Sequence, residues 1–314
     1  SRESCEKALA LDPQHADARY NLSLHQLLHG DYKNGFKNYS SRWRTDNPIF
    51  TKRLPFPLPL WDGKPLGNQP LLVLSEQGQG DVIQFARLLP LLDQQGIRVV
   101  LQCPTSLRRL LEPMAAVERV VPKDSVPTDC VACCPLMDLP NVLKLKLDNL
   151  PPADYLPAPL PSELPGECLR VGLAWAGNPE HSLDHERTLH EPTVLKPLLD
   201  TSGVQFYSLQ IDRPPFDRQV ADLRDQLKDF DDTASVVAAL DLVISVDTAV
   251  AHLAGTLGVP TWVLLPSQPD WRWLLDRMDS PWYPGLKLFR QQQAGNWTEV
   301  LGRLTPALAR FKAR

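Results

Sequence analysis

The sequence predicts an α/β protein of two similar half-domains behind a short all-helical segment. Three observations carry this. From Pro70 onward, apolar β-branched runs alternate with stretches of helical period, as strand–helix–strand crossovers do. The alternation stops in a proline-rich stretch, Pro151 to Pro165, and then restarts. Residues 1–45 show helical spacing and no strand-like run.

The chain has 314 residues, which at roughly 150 residues per domain fits two domains. Hydrophobic residues make up 43% and charged residues 22%, enough to bury a sizeable core. A net charge of −4 supplies no basic field for nucleic acid or a membrane surface. No apolar run is long and uncharged enough to span a bilayer. The opening SRESCEKALA is charged and helical, unlike a signal peptide. It reads as the interior of a longer structure, with more helices expected before residue 1. Six cysteines are present, Cys5, Cys103, Cys130, Cys133, Cys134 and Cys168. Cys130 and Cys133 have zinc-like spacing, but no second pair completes a site. Cys103 and Cys130 lie in or beside apolar runs and read as small core residues. This usage fits a reducing compartment, so a cytoplasmic location is expected.

Element by element, Ala8 to Pro13 ends a first helix, Ala16 to Leu28 forms a second, and Asn34 to Trp43 a third after a turn at Gly30-Asp31-Tyr32. Leu22, Gly30, Tyr32 and Tyr39, with Ala8 and Pro13 closing the preceding unit, resemble the spaced positions of a tetratricopeptide repeat. Only one and a half repeats are present, and such units cannot bury their faces alone. Residues 46–69, with ProPheProLeuProLeuTrp at 55–61, read as an extended connector over the domain surface. The first half-domain has strands at 71–75, 97–103, 117–121 and 129–133, with helices at 82–92 and 107–114. The second has strands at 169–176, 204–210, 241–246 and 260–266. Its helices are expected near 192–200, 216–226, 233–240, 249–257 and 270–277, and a last helix runs from Asn296 to Lys312. The expected divisions are a repeat remnant at 1–45, the connector at 46–69, Rossmann-like domains at 70–160 and 161–290, and the terminal helix at 291–314. Two such domains face a cleft, with ligands at the carboxyl ends of the strands.

The most telling segment is Leu240 to Pro266. Strand becomes helix at Asp247-Thr248, where free amides and the helix dipole make an anion site. His252 follows one turn later on the same face, either as a core histidine or as a ligand contact. In the first half, Ser75 to Asp81 links strand to helix. Its two glycines lack the third of a dinucleotide fingerprint, since residue 83 is Ile83. Asp81 falls at the helix start, as a carboxylate the helix favours or as a general base. Trp175 to Pro179 opens the second half, and Arg187 is the lone cation of the loop His181–His190. It is either an exposed loop arginine or the partner of a diphosphate. Gln210 ends a strand at the same sheet edge, and Asp232-Thr233 reads as a helix cap or a further ligand contact. Asp229-Phe230-Asp231 spells the DxD of metal-dependent sugar transferases. That spelling recurs in acidic loops, and the expected sheet order fits the other transferase architecture.

GlyAspValIleGln (80–84), and AspThrAlaValAlaHisLeuAla (247–254) before GlyValPro (258–260), resemble the two signatures of heptosyltransferase-like GT-B glycosyltransferases of family 9. The fuller pattern adds residues 76–85, TrpAlaGlyAsnPro (175–179), SerLeuGln (208–210), ProAspTrpArgTrpLeuLeuAspArg (269–277) and SerProTrpTyrPro (280–284). It is similar to bacterial tetratricopeptide-repeat proteins with a fused family 9/41-type transferase region. The resemblance covers nearly the whole chain. It implies a GT-B-like fold and inverting transfer from a nucleoside-diphosphate sugar, with no metal or other cofactor required. It implies Asp81 as base, and Asp247, Thr248, Ala249 and His252 as the diphosphate-binding turn. Gly80, Asn178, Arg187, Gln210 and Thr233 complete the expected binding set. Ser182 and Leu183 stand where such relatives often carry Lys and Asn, and Ile211-Asp212 where a lysine is frequent. Positive charge is left to Arg187, with Arg213 nearby.

The leading expectation is therefore a cytoplasmic glycosyltransferase acting on an acceptor hydroxyl or peptide. The repeat segment points to a protein or peptide partner, because stacked helix pairs make concave binding surfaces. The alternatives are a non-catalytic nucleotide-binding or scaffold protein with a degenerate transferase region, or an epimerase-like GT-B enzyme.

Overall fold

A computed structural model describes residues 1–52, 54–166, 168–181 and 183–312. The chain divides into two compact units. One holds Ser1–Pro152 together with Asp270–Asp276; the other holds Ala153–Pro269 and Arg277–Arg314.

The first unit opens with helices α1 (Arg2–Leu11), α2 (Ala16–Leu28) and α3 (Tyr32–Tyr39). Asp31 starts α3 by accepting from the Asn34 amide at 3.2 Å, as an N-cap carboxylate does. Tyr32, Phe36 and Tyr39 recur at helical spacing and are all buried. Gly35 lies on that face, and a β-carbon there would come within 2.7 Å of the Leu27 side chain. The glycine thus lets α3 close onto α2. A short helix α4 (Pro48–Thr51) precedes the connector. The connector is stitched to the sheet: Cys133 donates to the Pro59 carbonyl at 2.9 Å and Trp61 to the Cys133 carbonyl at 2.8 Å.

Strands β1 (Leu71–Leu74), β2 (Val99–Cys103), β3 (Arg119–Pro122) and β4 (Ala132–Pro135) make a parallel sheet in the order β3-β2-β1-β4. Every residue of β1 and β2 is buried, as expected of parallel strands covered on both faces. Helices α5 (Gln79–Ala86), α6 (Leu89–Asp93), α7 (Thr105–Leu111) and α8 (Leu139–Val142) accompany them. The helix expected over 82–92 is two helices, because Pro90 supplies no amide to bond back into the first. Cys103, Cys130, Cys133 and Cys134 are buried and unbridged. Burial pushes the Cys103 thiol up to about 12.

The second unit holds a six-stranded parallel sheet: β5 (Leu169–Ala174), β6 (Val204–Ser208), β7 (Val220–Asp222), β8 (Leu242–Val246), β9 (Thr261–Leu265) and β10 (Leu286–Arg290). Their order is β10-β9-β8-β5-β6-β7. Counted from β5 as the first strand, this is the 3-2-1-4-5-6 order of a doubly wound dinucleotide-binding sheet. The helices are α9 (Asp184–Arg187), α10 (Lys196–Leu199), α11 (Phe230–Ala238), α12 (Ala249–Thr256) and α13 (Trp297–Lys312). One apolar cluster, including Val171, Trp175, Ile244, Trp262 and Leu304, fills one face of the sheet.

Two expected helices are absent. The stretch 216–226 holds edge strand β7, which pairs with β6 and buries Val220; core burial and strand pairing override weak helical spacing. The stretch 270–277 is a single 3₁₀ turn at Trp271–Trp273, followed by Leu274 and Asp276 at positive φ. Trp271, Arg272, Trp273 and Leu274 are all buried, so this segment has no solvent face for a helix to present.

Candidate functional site

In an open α/β sheet, ligands bind at the carboxyl ends of the strands where the order reverses. In the second unit that point lies between β5 and β8. The turns leaving these two strands carry Trp175 to Asn178 and Asp247-Thr248. Thr248 sits in extended conformation at the start of α12, and its side chain makes no capping bond. It is hydrogen-bonded instead with Ser245 Oγ at 2.9 Å. The Thr248 side chain thus leaves the first amides of α12 uncapped, although the Ala251 amide donates to the Thr248 carbonyl at 3.1 Å. Helix α11 contrasts: its Asp229 carboxylate accepts from the amides of Asp231 at 2.9 Å and Asp232 at 3.1 Å. The α11 start is thus closed by its cap carboxylate, whereas the α12 start has no side-chain cap from Thr248.

His252 lies one turn into α12 and is buried. Its Nδ1 is 2.9 Å from Tyr283 Oη, and its Nε2 is 4.0 Å from Asp247 Oδ1. Gly255 makes room for this arrangement, since a β-carbon there would come within 2.7 Å of the Tyr283 ring. The imidazole therefore bridges a phenol and the carboxylate that opens the turn.

The other expected contacts are held more tightly by the protein itself. Gln210 Oε1 accepts from the amides of Trp175 and Ala176, each at 2.9 Å, and its Nε2 donates to Asp212 Oδ1 at 3.0 Å. It splices the end of β6 to the turn after β5. Thr233 Oγ1 donates to the Asp229 carbonyl at 2.8 Å inside α11. Asn178 is exposed and accepts from the Glu180 amide at 3.0 Å. Arg187 Nε lies 3.4 Å from Asp184 Oδ1, a carboxylate that also accepts from Thr188 Oγ1 at 2.8 Å. Gly177 touches this cluster: a β-carbon would fall within 2.9 Å of Arg187 Nη2. Arg213 Nε donates to Asp212 Oδ2 at 2.9 Å. Burial works to raise the Asp212 pKa, but the bonds from Arg213 and Gln210 bring it below the usual aspartate range. Both cations near this edge thus face a carboxylate. Leu183 is exposed, and Ser182 lies outside the described residues.

In the first unit the order reverses between β1 and β4. The turn after β1 leads through Gly78 and Gly80 into α5, with Asp81 in its first turn. Asp81 Oδ2 accepts from the Gly78 amide at 2.8 Å, half of a capping box that a glycine cannot reciprocate. Its Oδ1 is ion-paired with Arg272 Nη2. Arg272 is buried, donates to Gln84 Oε1 at 2.9 Å and to Asp270 Oδ1 at 2.7 Å, and lies 4.3 Å above the Trp271 ring. Burial opposes its charge, but Asp270 and Asp81 raise its pKa above the ordinary arginine value. Trp271 meets Tyr32 and Phe36 edge-on, with centroids 6.2 and 5.7 Å apart.

A second buried arginine braces the same turn. Arg42 donates to Glu76 through Nη2 at 2.6 Å and Nε at 3.1 Å, and to Asp138 through Nη1 at 2.8 Å. Trp43 Nε1 also donates to Asp138, at 2.8 Å. Gln77, at φ 59°, donates to Tyr39 Oη at 2.7 Å. The helical segment thus grips the turn that carries Asp81. Sequence reasoning missed Arg42, Arg272 and Tyr283. An arginine bracketed by two tryptophans between acidic residues is the signal that singles out Arg272.

Among the described residues, no group of three or more His, Cys, Asp or Glu side chains is placed to hold a metal ion. No helix of the described residues is long and apolar enough to cross a membrane.

No protein-family model matches the chain. Protein FlbA of Caulobacter vibrioides is 26% identical over 334 residues, spanning 91% of this chain and 54% of FlbA. The chain thus spans about half the length of this curated relative. Among solved structures, the iron-containing dodecameric glycosyltransferase TibC of enterotoxigenic E. coli superposes with TM-score 0.53 at 12% identity, over 81% of this chain and 76% of TibC. A family 9 glycosyltransferase from Veillonella parvula gives 0.53 at 12%, over 81% and 99%. The E. coli ADP-heptose lipopolysaccharide heptosyltransferase II gives 0.52 at 16%, over 78% and 98%. At these identities the likeness is one of fold, and the fold of this chain is α/β of the GT-B type.

Proposed function

We propose that this chain is an inverting, metal-independent glycosyltransferase that moves a sugar from a nucleoside-diphosphate sugar to an acceptor hydroxyl. The observation that carries the reading is the uncapped start of α12 at the reversal point of a Rossmann-ordered sheet. TibC, of like fold, has been solved with ADP-D-β-D-heptose bound, which supports a nucleotide-sugar donor. The amides of Ala249 and its neighbours, the Thr248 hydroxyl and His252, oriented by Tyr283 and Asp247, receive the diphosphate. Asn178 and Arg187 stand at the neighbouring turn, and Gln210 and Thr233 support this edge from within. Gly80, which precedes Asp81 in the first turn of α5, belongs to the proposed binding set. Asp81 takes the proton of the acceptor hydroxyl. The acceptor oxygen bonds to the anomeric carbon, the bond to the diphosphate breaks on the opposite face, and the electron pair leaves with the diphosphate. Fixed amides stabilise that growing charge without reorganising. Arg272 is a positioning residue: its ion pair holds Asp81 in one orientation. The helices α1–α3, read as a tetratricopeptide-repeat remnant, present a protein or peptide acceptor, and the chain works in a bacterial cytoplasm.

The test is calorimetric titration with ADP, UDP, GDP and CDP, followed by transfer assays with the matching nucleotide sugars, with and without EDTA. Binding of one diphosphate, weakened about tenfold in Thr248→Ala, and transfer that survives EDTA are expected. If no nucleotide binds, the reading fails.

A second reading is favoured by one observation. Both Arg187 and Arg213 face carboxylates, Asp184 and Asp212, which thins the positive charge available to a leaving diphosphate. On this reading the chain binds a nucleotide sugar and serves as a scaffold. Binding without transfer to any acceptor or to water would select it.

A further inference from the structure

A cavity of about 600 Å³ opens in the second unit, bordered by Pro266 and Ser267 after β9, Gln291 after β10, the 185–191 segment and the start of α13. Its size is within the usual range for small-ligand sites, roughly 300–1,000 Å³. Strand β9 is the immediate neighbour of β8, whose end carries the Asp247-Thr248 turn.

The chemistry of its walls narrows the occupant. Trp297 and Val194 give apolar surface; Glu186 and Glu191 give carboxylates; His190 gives an imidazole. No Lys or Arg is among the described residues that line it, so a phosphate or nucleotide finds no countercharge there. Two carboxylates make it a poor fit for a wholly apolar ligand. Gln291 is the most informative wall. It is 4% exposed, and its Oε1 accepts from the Gly295 amide at 3.1 Å. That bond fixes which end of the side-chain amide is nitrogen. The Nε2 has no hydrogen-bond partner among the described residues. A buried donor without an acceptor is rare in folded proteins and calls for an oxygen to meet it. An ammonium ligand would leave it unmet.

We infer that this cavity is a saccharide subsite, taking a neutral sugar ring whose hydroxyls accept from Gln291 Nε2 and donate to Glu186 and Glu191. The apolar C–H face of the ring lies toward Trp297. The inference rests on the nucleotide-sugar reading for its link to the Thr248 turn. The sugar has two sources, the donor's own sugar or a sugar already on the acceptor.

Saturation-transfer NMR on the whole chain separates these. The probes are ADP, ADP-D-β-D-heptose, UDP-N-acetylglucosamine, and the methyl glycosides of glucose, galactose and mannose. Saturation of sugar-ring protons is expected in the wild type, and a drop of about five-fold or more in Gln291→Leu, while nucleotide base protons keep their signal. Glu191 is exposed, so Glu191→Gln is a second variant that spares the core, and it should weaken the same sugar signals. Signals from methyl glycosides without nucleotide identify an acceptor sugar; signals seen only on nucleotide sugars identify the donor's. Sugar signals unchanged in both variants, or absent from every probe, overturn the inference. Loss of nucleotide signals alone overturns the donor reading and leaves the glycoside arm to decide this one.

Discussion

Arg42 forks onto Glu76, with Nη2 2.6 Å from Oε1 and Nε 3.1 Å from Oε2, and neither side chain is more than 1% exposed. This pair joins the residues after α3 to the turn after β1, so the helical segment and the sheet share one buried charge network. Removing one partner strands the other charge away from water, a loss of about 3–5 kcal/mol. Arg42→Met should lower the unfolding free energy extrapolated from urea titration by that amount, with a lower midpoint. The double variant Arg42→Met with Glu76→Gln should recover part of it. Equal midpoints for wild type and Arg42→Met would show that the pair contributes nothing.

Asp81→Asn tests the base. It keeps the shape and still accepts one hydrogen bond, but it cannot take a proton. Turnover should fall by about 10²–10⁴-fold, while nucleoside-diphosphate affinity measured by calorimetry stays unchanged. Arg272→Lys keeps the charge and loses the fork. Its kcat should fall with the KM for donor unmoved, and full turnover in this variant would remove Arg272 from its positioning role.

At the α12 turn, Thr248→Ala deletes a hydroxyl beside the expected phosphate and should weaken nucleoside-diphosphate binding about tenfold. Tyr283→Phe removes the partner of His252 Nδ1. It should weaken binding less than Thr248→Ala, and the contrast is read by isothermal titration of both variants against the same nucleotide. A larger effect from Tyr283→Phe would place the histidine, not the hydroxyl, at the centre of recognition.

Asp241 predicts a pH effect on stability. Burial works to raise its pKa, but the side-chain and backbone donors of Arg170 bring it below the ordinary aspartate value. Its folded pKa is therefore lower than its unfolded one. The stabilisation is present above the unfolded value, about 3.9, and is lost as pH falls through the folded one. Asp241→Asn should have a lower Tm than wild type near pH 7, and the gap should narrow below about pH 4. A gap that widens in acid would reverse the sign.

The parts legible in the sequence are those whose cause is local. The strand before Asp247, the helix after Thr248 and the turn at Gly258 each follow from residues within a few positions, and β8, α12 and β9 form where the pattern puts them. The turn into α5 and the place of Asp81 in the helix's first turn are legible for the same reason. Two kinds of feature were not. Helices split by Pro90 or Pro197 keep a helical apolar spacing although the missing amide breaks them. Contacts between distant residues leave no local trace: Arg272 reaches Asp81 across 191 positions. The three-residue strand β7 is too short to show alternation, and its place is set by the neighbour it pairs with.

The segment Asp270–Asp276 belongs to the first unit although the chain has by then built most of the second. During synthesis, the 152 residues that open the first unit emerge well ahead of that segment. At ribosomal speed the interval is on the order of ten seconds. For that time the aromatic face of Tyr32, Phe36 and Phe85 waits without Trp271, and Asp81 waits without its arginine. The nascent chain therefore carries the aromatic patch of Tyr32, Phe36 and Phe85 uncovered until Asp270–Asp276 is made, and the residue proposed for catalysis reaches its working geometry only once that segment has emerged.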